Sequence, residues 1–225
     1  PNDSRAKVFA FMPHGLYPMG AAVALVGDLN RRVFGGMQVA VANAARRVPI
    51  FRHLLGWIGD LPATNGAIRS TLARGKSVQL LPGGIGEMYY AGASHLATET
   101  LLLNDRKGFI KACLQAGAPI VPVYVFGTNS VFNIVPLADR LQWLGRLLQV
   151  SLVWFYGRGG LPIPFSVPLM YVVGAPIEVG AAVANPSPEQ VERYHKVFVA
   201  AVVALFDKYK KVYGRGYGMK QLQIL

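Results

Sequence analysis

Cysteine, acidic residues and long apolar runs are what this chain has least of. One cysteine, Cys113, stands in 225 residues. A lone thiol excludes an internal disulfide and a cysteine-held metal cluster, and it fits a domain facing a reducing compartment. Acidic residues number 11 against 23 lysines and arginines, a formal net charge of +12 at pH 7. Such a balance asks for an anionic partner: nucleic acid, an anionic lipid surface or a phosphate-bearing small molecule. Hydrophobic residues make up 52% of the chain and mean hydropathy is +0.34. Even so, no uninterrupted apolar run approaches the ~20 residues a helix needs to cross a bilayer. Gln149 and Ser151 break the stretch from Leu148 to Phe155, and Val197 to Phe206 is too short. RNP and zinc-finger signatures are missing, which argues against nucleic acid. The phosphate loops GxGxxG and GxxxxGK followed by Ser or Thr are missing too. A greasy, basic chain without a span reads as monotopic, or as the catalytic portion of a longer anchored protein. The start at Pro1, with neither an initiator Met nor a signal-like segment, leads us to expect the second.

What is present is alternation. Ala6–Met12, Met37–Asn43, Ser77–Leu81, Pro119–Phe126, Val150–Phe155 and Leu169–Val173 are mostly continuous apolar runs, as in strands covered on both faces. Helix-like stretches lie between them at Val48–Ile58, Asn65–Arg74, Lys107–Gln115 and Pro136–Leu148. The expected architecture is one α/β domain over 1–225, with a mostly parallel or mixed central sheet flanked by helices. Ser187-Pro188-Glu189-Gln190 opens a last long helix with a capping box, and Val191, Tyr194, Phe198, Val202, Leu205, Tyr209 and Val212 form its apolar face. Between Val131 and Met170, Trp143, Trp154, Phe155 and Tyr156 crowd together before Gly157-Arg158-Gly159-Gly160-Leu161-Pro162-Ile163-Pro164-Phe165 interrupts. That loop is where we expect membrane or acyl-chain contact, since aromatic residues favour the interface; a core helix and strand joined by a proline-rich loop is the alternative.

His14 is the most informative residue. Pro13 fixes the backbone before it and Gly15 permits an abrupt turn after it, directly behind the Lys7–Phe11 run. A titratable base is thereby presented at a strand's carboxyl end, where open α/β sheets bind ligands. His53, His95 and His195 read as structural. Gly83-Gly84 closes the Ser77–Leu81 strand and Glu87 follows one turn later. Acyl transfer to an alcohol needs a base, a group that orients it and amide donors for the thioester oxyanion. His14, Glu87 and the Gly83 and Gly84 amides can supply these. No Ser or Cys sits in a nucleophile elbow, so direct transfer is expected rather than an acyl-enzyme. Arg106, Lys107 and Lys111 cluster at a helix start, either as a solvated helix edge or as a grip on the phosphates of a cofactor such as coenzyme A.

Phe9-Ala10-Phe11-Met12-Pro13-His14-Gly15 resembles the HPHG block of the type-2 diacylglycerol acyltransferase family, which includes monoacylglycerol and wax-alcohol acyltransferases. Leu81-Pro82-Gly83-Gly84-Ile85-Gly86-Glu87 resembles its GGxxE block. Arg106 to Ala112, followed by Gly117, Val121-Pro122 and Phe126-Gly127, looks like its most specific signature. Val173 to Ile177 and the Tyr194–Tyr209 helix are similar to its C-terminal segments, so the resemblance covers nearly the whole chain.

The resemblance implies a glycerolipid-acyltransferase-like fold and transfer of a fatty acyl group from acyl-CoA to diacylglycerol. Monoacylglycerol and long-chain alcohols are alternative acceptors, and a non-catalytic lipid-binding relative is the alternative to an enzyme. It implies His14 as the catalytic base and Glu87 as its acidic partner, acyl-CoA as co-substrate with no further cofactor or metal, and a membrane surface rather than nucleic acid as partner. The implied location is the cytosolic face of the endoplasmic reticulum, with lipid droplets as a second, and an N-terminal membrane hairpin is expected upstream of Pro1. In the related HxxxxD motif the acid would fall at Met19, which favours Glu87 as the orienting carboxylate. Two departures stand out: Met12 replaces the first histidine of HPHG, and Thr128 stands where Glu or Gln usually follows Phe-Gly. Both are expected to alter acyl or acceptor preference. The oligomeric state is left open.

Overall fold

The computed structural model describes residues 5–26, 28–46, 53, 56, 59–90, 97–135 and 155–225. Its centre is strand β1 (Val8–Met12), whose five residues are all buried. Parallel neighbours flank it: β4 (Ser77–Leu80) on one side and β6 (Ile120–Phe126) on the other. Beyond β4 lie β2 (Met37–Val41) and β3 (Leu61–Pro62), also parallel, while β9 (Met170–Val173) closes the other edge antiparallel to β6. The spatial order is β3-β2-β4-β1-β6-β9. The expected mostly parallel, layered α/β fold is therefore what forms.

A continuous apolar run does not say which residue faces which layer; the pleat does. Val8, Ala10 and Met12 point into the larger core, whereas Phe9 and Phe11 point into a second one on the opposite face. The larger core is covered by α4 (Asn65–Ala73), α5 (Gly108–Ala116) and α6 (Pro188–Tyr213). The second is covered by α1 (Met19–Leu25) and α2 (Asp28–Phe34), with Phe34 packed against Phe9 and Phe11. A short α3 (Asn43–Arg46) follows β2. Burying a side chain such as Phe126 or Phe206 contributes about 1.5–3 kcal/mol, and these two stack on each other beside Tyr124.

Local chemistry explains the helices that the sequence announces. Ser187 Oγ accepts the Gln190 N–H (3.2 Å) while Gln190 Oε1 accepts the Ser187 N–H (2.9 Å), the expected capping box, with Pro188 in the first turn. Thr64 caps α4 through the Ala67 N–H. The helices α1 and α2 were not expected; they are short, and the small residues Gly20, Ala21 and Ala24 of α1 are its buried face. The expected strand over Val150–Phe155 is described only at Phe155, within β8 (Phe155–Tyr156), which pairs with β7 (Asn133–Ile134) outside the main sheet. Pro136–Leu148, His95 and most of Val48–Ile58 lie outside the described residues. Two further strands, β5 (Thr98–Leu101) and β10 (Gln221–Ile224), form a separate parallel pair.

Candidate active site

The carboxyl ends of β1, β4 and β6 lie side by side, and the chain leaving each contributes to one site. His14 follows β1 at a sharp turn in which Gly15 adopts φ +69°, a region costly for residues with a side chain. A Cβ at Gly15 would also meet the Thr128 methyl at 2.8 Å. His14 Nδ1 lies 2.8 Å from the Gly15 carbonyl oxygen. Because a carbonyl only accepts, Nδ1 carries the proton and the neutral ring keeps its lone pair on Nε2. Burial lowers the His14 pKa, with the Gly15 hydrogen bond opposing, so the neutral form is favoured.

Glu87 sits on a 3-10 turn spanning Gly84–Tyr90 and is 2% exposed. Its Oε2 accepts the backbone N–H of His14 at 2.7 Å, and its Oε1 accepts the backbone N–H of Leu102 at 2.9 Å. The expectation that Glu87 orients the imidazole is thereby corrected. Gly15 holds the ring and Glu87 holds the main chain that carries it. Desolvation raises its pKa to about 7, against the two backbone hydrogen bonds and the Arg106 charge, which lower it.

Gly83 and Gly84 shape the turn that carries Glu87. The Glu87 carboxylate occupies the space a Cβ at Gly83 would need, so this glycine makes room for the carboxylate. The Gly84 N–H donates to the Leu81 carbonyl at 3.3 Å, within the turn itself.

The cationic cluster divides. Arg106 is exposed and faces the Gly86–Glu87 turn, close enough for its charge to act on Glu87. Lys107 instead pairs with Glu192 of α6 at 2.8 Å, and Lys107 and Lys111 line a groove shared with Glu189 and Glu192. The helix period explains the split. Lys107 is the N-cap of α5 and lies one turn before Lys111, whose N–H donates to its carbonyl, so the two share a face, whereas Arg106 lies in the turn ahead of the cap.

The two departures from the family pattern are packing residues. Met12 is completely buried in the larger core, on the sheet face away from Phe9 and Phe11, so it does not line the site. Thr128 is buried beneath the His14 turn, donates to the Val125 carbonyl at 2.9 Å and packs against Gly15 and Gly20. His195 is structural as expected, with Nε2 2.8 Å from the Leu103 carbonyl.

Several residues that shape this region escaped sequence reasoning. Tyr171 and Gln79 donate to the Gly20 and Ala21 carbonyls at 2.7 and 2.9 Å, bracing α1 just after the His14 turn. Glu99 is 1% exposed and accepts from Asn129 (2.7 Å), Lys220 (2.9 Å) and Tyr124 (3.4 Å). Its one sequence signal is an acid set just ahead of the Leu101-Leu102-Leu103 run. Three residues on from His14, the Tyr17 ring forms an edge-to-face cluster with Phe132 and Phe155, centroids 5.0–5.7 Å apart.

The site is thus a partly accessible, neutral histidine where parallel strands end, with a buried carboxylate holding its main chain. A family model described as diacylglycerol acyltransferase matches residues 2–222, and the chain belongs to that family. Diacylglycerol O-acyltransferase 1 of Eremothecium gossypii is 30% identical over 97% of this chain and 50% of its own length. Diacylglycerol O-acyltransferase 2-like protein 6 of Bos taurus is 32% identical over 92% of this chain and 67% of its own. Diacylglycerol O-acyltransferase 2 of Homo sapiens is 29% identical over 94% and 58%. The chain thus spans half to two thirds of the curated relatives named here. The crystal structure of the 1-acyl-sn-glycerophosphate acyltransferase PlsC from Thermotoga maritima superposes with a TM-score of 0.52 at 12% identity, covering 96% of this chain and 69% of that one. That likeness concerns the fold alone, which is of the glycerolipid-acyltransferase type.

Proposed function

We propose that the chain transfers a fatty acyl group from acyl-CoA to the free hydroxyl of diacylglycerol, giving triacylglycerol. The observation that carries this reading is the His14 tautomer: Nδ1–H donates to the Gly15 carbonyl, which leaves the Nε2 lone pair as a base at the carboxyl end of the sheet. The acceptor hydroxyl gives its proton to Nε2 as its oxygen attacks the thioester carbonyl. The carbon–sulfur bond then breaks, coenzyme A leaves as a thiolate, and the imidazolium returns the proton to that sulfur. Glu87 keeps the His14 main chain in place, and Arg106 is the cation best placed to meet an anionic part of acyl-CoA.

A membrane surface is part of the proposal, with the cytosolic face of the endoplasmic reticulum and lipid droplets as locations. Among the described residues no helix is long and apolar enough to cross a membrane. Leu161 and Ile163, 56% and 48% exposed, stand on the loop that leaves Tyr156 beside the Tyr17–Phe132–Phe155 cluster. Apolar tips on a strongly cationic protein suit an anionic lipid surface. The test is turnover of labelled oleoyl-CoA by the purified protein in mixed micelles against diacylglycerol, monoacylglycerol and hexadecanol. Preference for diacylglycerol supports the reading, preference for either other acceptor reassigns the substrate, and no ester from any acceptor defeats it.

A further inference from the structure

Behind Glu87 lies a second buried carboxylate that the reaction as proposed leaves unused. Glu99, on β5, is three residues before Leu102, whose N–H holds Glu87 Oε1. Lys220 is 13% exposed, immediately precedes β10 and places Nζ 2.9 Å from Glu99 Oε1, with the same ammonium 4.4 Å above the Tyr217 ring. The backbone repeats the connection. The Gln221 N–H donates to the Ala97 carbonyl at 3.0 Å, β10 pairs with β5 in parallel register, and the Leu103 and Asn104 N–H groups donate to the Leu225 carbonyl. The segment that presents Leu102 to Glu87 is therefore held from behind by the segment that carries Lys220.

The charges make the same point. Facing Glu87 are His14 from the turn after β1, Glu99 from β5, Arg106 from the turn before α5 and, beside Glu99, Tyr124 from β6 and Tyr217 from the turn before β10. Two carboxylates in one poorly solvated region repel, and among the described residues the cation paired with one of them is Lys220, on Glu99. Asn129 and Tyr124 supply hydrogen bonds to Glu99 but no compensating charge.

We propose that Glu99 and Lys220 form a charge-balancing pair that positions Glu87, and through it the backbone of His14. Both are positioning residues, and the proposal rests on the reading of His14 as the base. Without the Lys220 cation, the Glu99 charge bears directly on Glu87 and favours its protonated form, which has one good acceptor for two N–H groups. With Glu99 neutralised instead, Lys220 is left unopposed and favours the ionised form. The two single changes therefore push Glu87 in opposite directions, and the double change restores balance. A purely mechanical tether would give losses of one sign.

The test uses the full chain with K220M, E99Q and the E99Q/K220M double variant, each assayed for oleoyl transfer across pH. K220M should lower kcat by about tenfold, with KM for acyl-CoA within about twofold, and should move the acid limb of kcat upward by about one pH unit. E99Q should move that limb downward, and the double variant should return it to the wild-type position. An acid limb that stays put in both single variants overturns the proposal, as does a double variant no better than K220M alone in kcat.

 If K220M does not fold, E99Q alone decides, since its limb must move down.

A second readout does not depend on turnover. The infrared band of the protonated Glu87 carboxyl, assigned by its loss in E87Q, is titrated in the same variants. Its midpoint should rise in K220M, fall in E99Q and return in the double variant; an unmoved midpoint overturns the pair. If the wild-type protein transfers no acyl group while these midpoints move as stated, the reading of function fails and the pair stands.

Discussion

Glu87 Oε2 lies 2.7 Å from the His14 backbone nitrogen, while the His14 imidazole turns to the Gly15 carbonyl. The acid and the base are thus joined through a peptide unit and not through the ring. Removal of the acid should therefore loosen the base without abolishing its basicity, which separates the two residues experimentally.

Replacing His14 with Ala removes the base itself. General-base catalysis contributes ~10²–10⁴-fold, so kcat should fall by at least that order. Expression and thermal melting should stay near wild type, because the ring is only partly buried. Substantial residual turnover in the purified variant would remove His14 from the mechanism.

Glu87 gives a pH signature with a defined sign. The folded protein holds this proton up to about 7, against about 4.5 for an ordinary glutamate in water. In that window the folded state binds more protons than the unfolded one. The stability this group contributes is thus fully present below about 4.5 and is lost as pH rises through about 7. At about 1.36 kcal/mol per unit, wild type should lose about 3 kcal/mol relative to E87Q between pH 4.5 and pH 8, measured by urea unfolding. The same ionisation should give kcat an acid limb near 7 that E87Q lacks.

Met12→His would restore the first histidine of the family block, but at a completely buried core position. Placing an imidazole there should lower the unfolding free energy by about 2 kcal/mol or more, whereas Met12→Leu should cost less than about 1.5 kcal/mol and leave acceptor preference unchanged. Denaturant midpoints together with the acceptor panel check both statements. A changed preference in Met12→Leu would show that position 12 reaches the substrate after all.

Thr128→Gln should act on both stability and rate. The longer side chain must displace Gly15 or Gly20, both of which already touch Thr128. Overpacking of this kind costs about 1–3 kcal/mol, and Gly15 is the residue that holds the His14 ring. Melting temperature and kcat should fall together, while Thr128→Ser, which keeps the hydroxyl bonded to Val125, should fall less in both.

The three cations should separate in kinetics. Arg106→Gln is expected to raise KM for acyl-CoA, with the effect shrinking in salt as contacts are screened beyond about 10 Å at 0.1 M. Lys107→Gln and Lys111→Gln should change it little, since Lys107 already pairs with Glu192. Equal effects from all three would place the cofactor phosphates in the groove beside α6.

How much of this was legible in the sequence depends on the range of the interactions involved. Local signals read well: β1, β4 and β6 from apolar runs ended by Pro or Gly, α6 from its capping box, and His14 from the turn around it. The strands β5 and β10 did not read, because each is completed by a partner more than a hundred residues away. Glu87 was legible as a site residue but not as a ligand of main chain, since the same residue types serve either contact. The cation cluster misled for a simpler reason: adjacency along the chain hides a difference in direction at the start of a helix.

Gly83 illustrates a different kind of dependence. Its missing side chain is a space already occupied by the Glu87 carboxylate. A methyl group there competes for volume with a carboxylate held by two hydrogen bonds, so Gly83→Ala should behave like a change at Glu87 although residue 83 itself donates nothing to the reaction. The two positions therefore act as one steric unit: a variant that gives up the acid should tolerate alanine at 83, whereas one that keeps the acid should not.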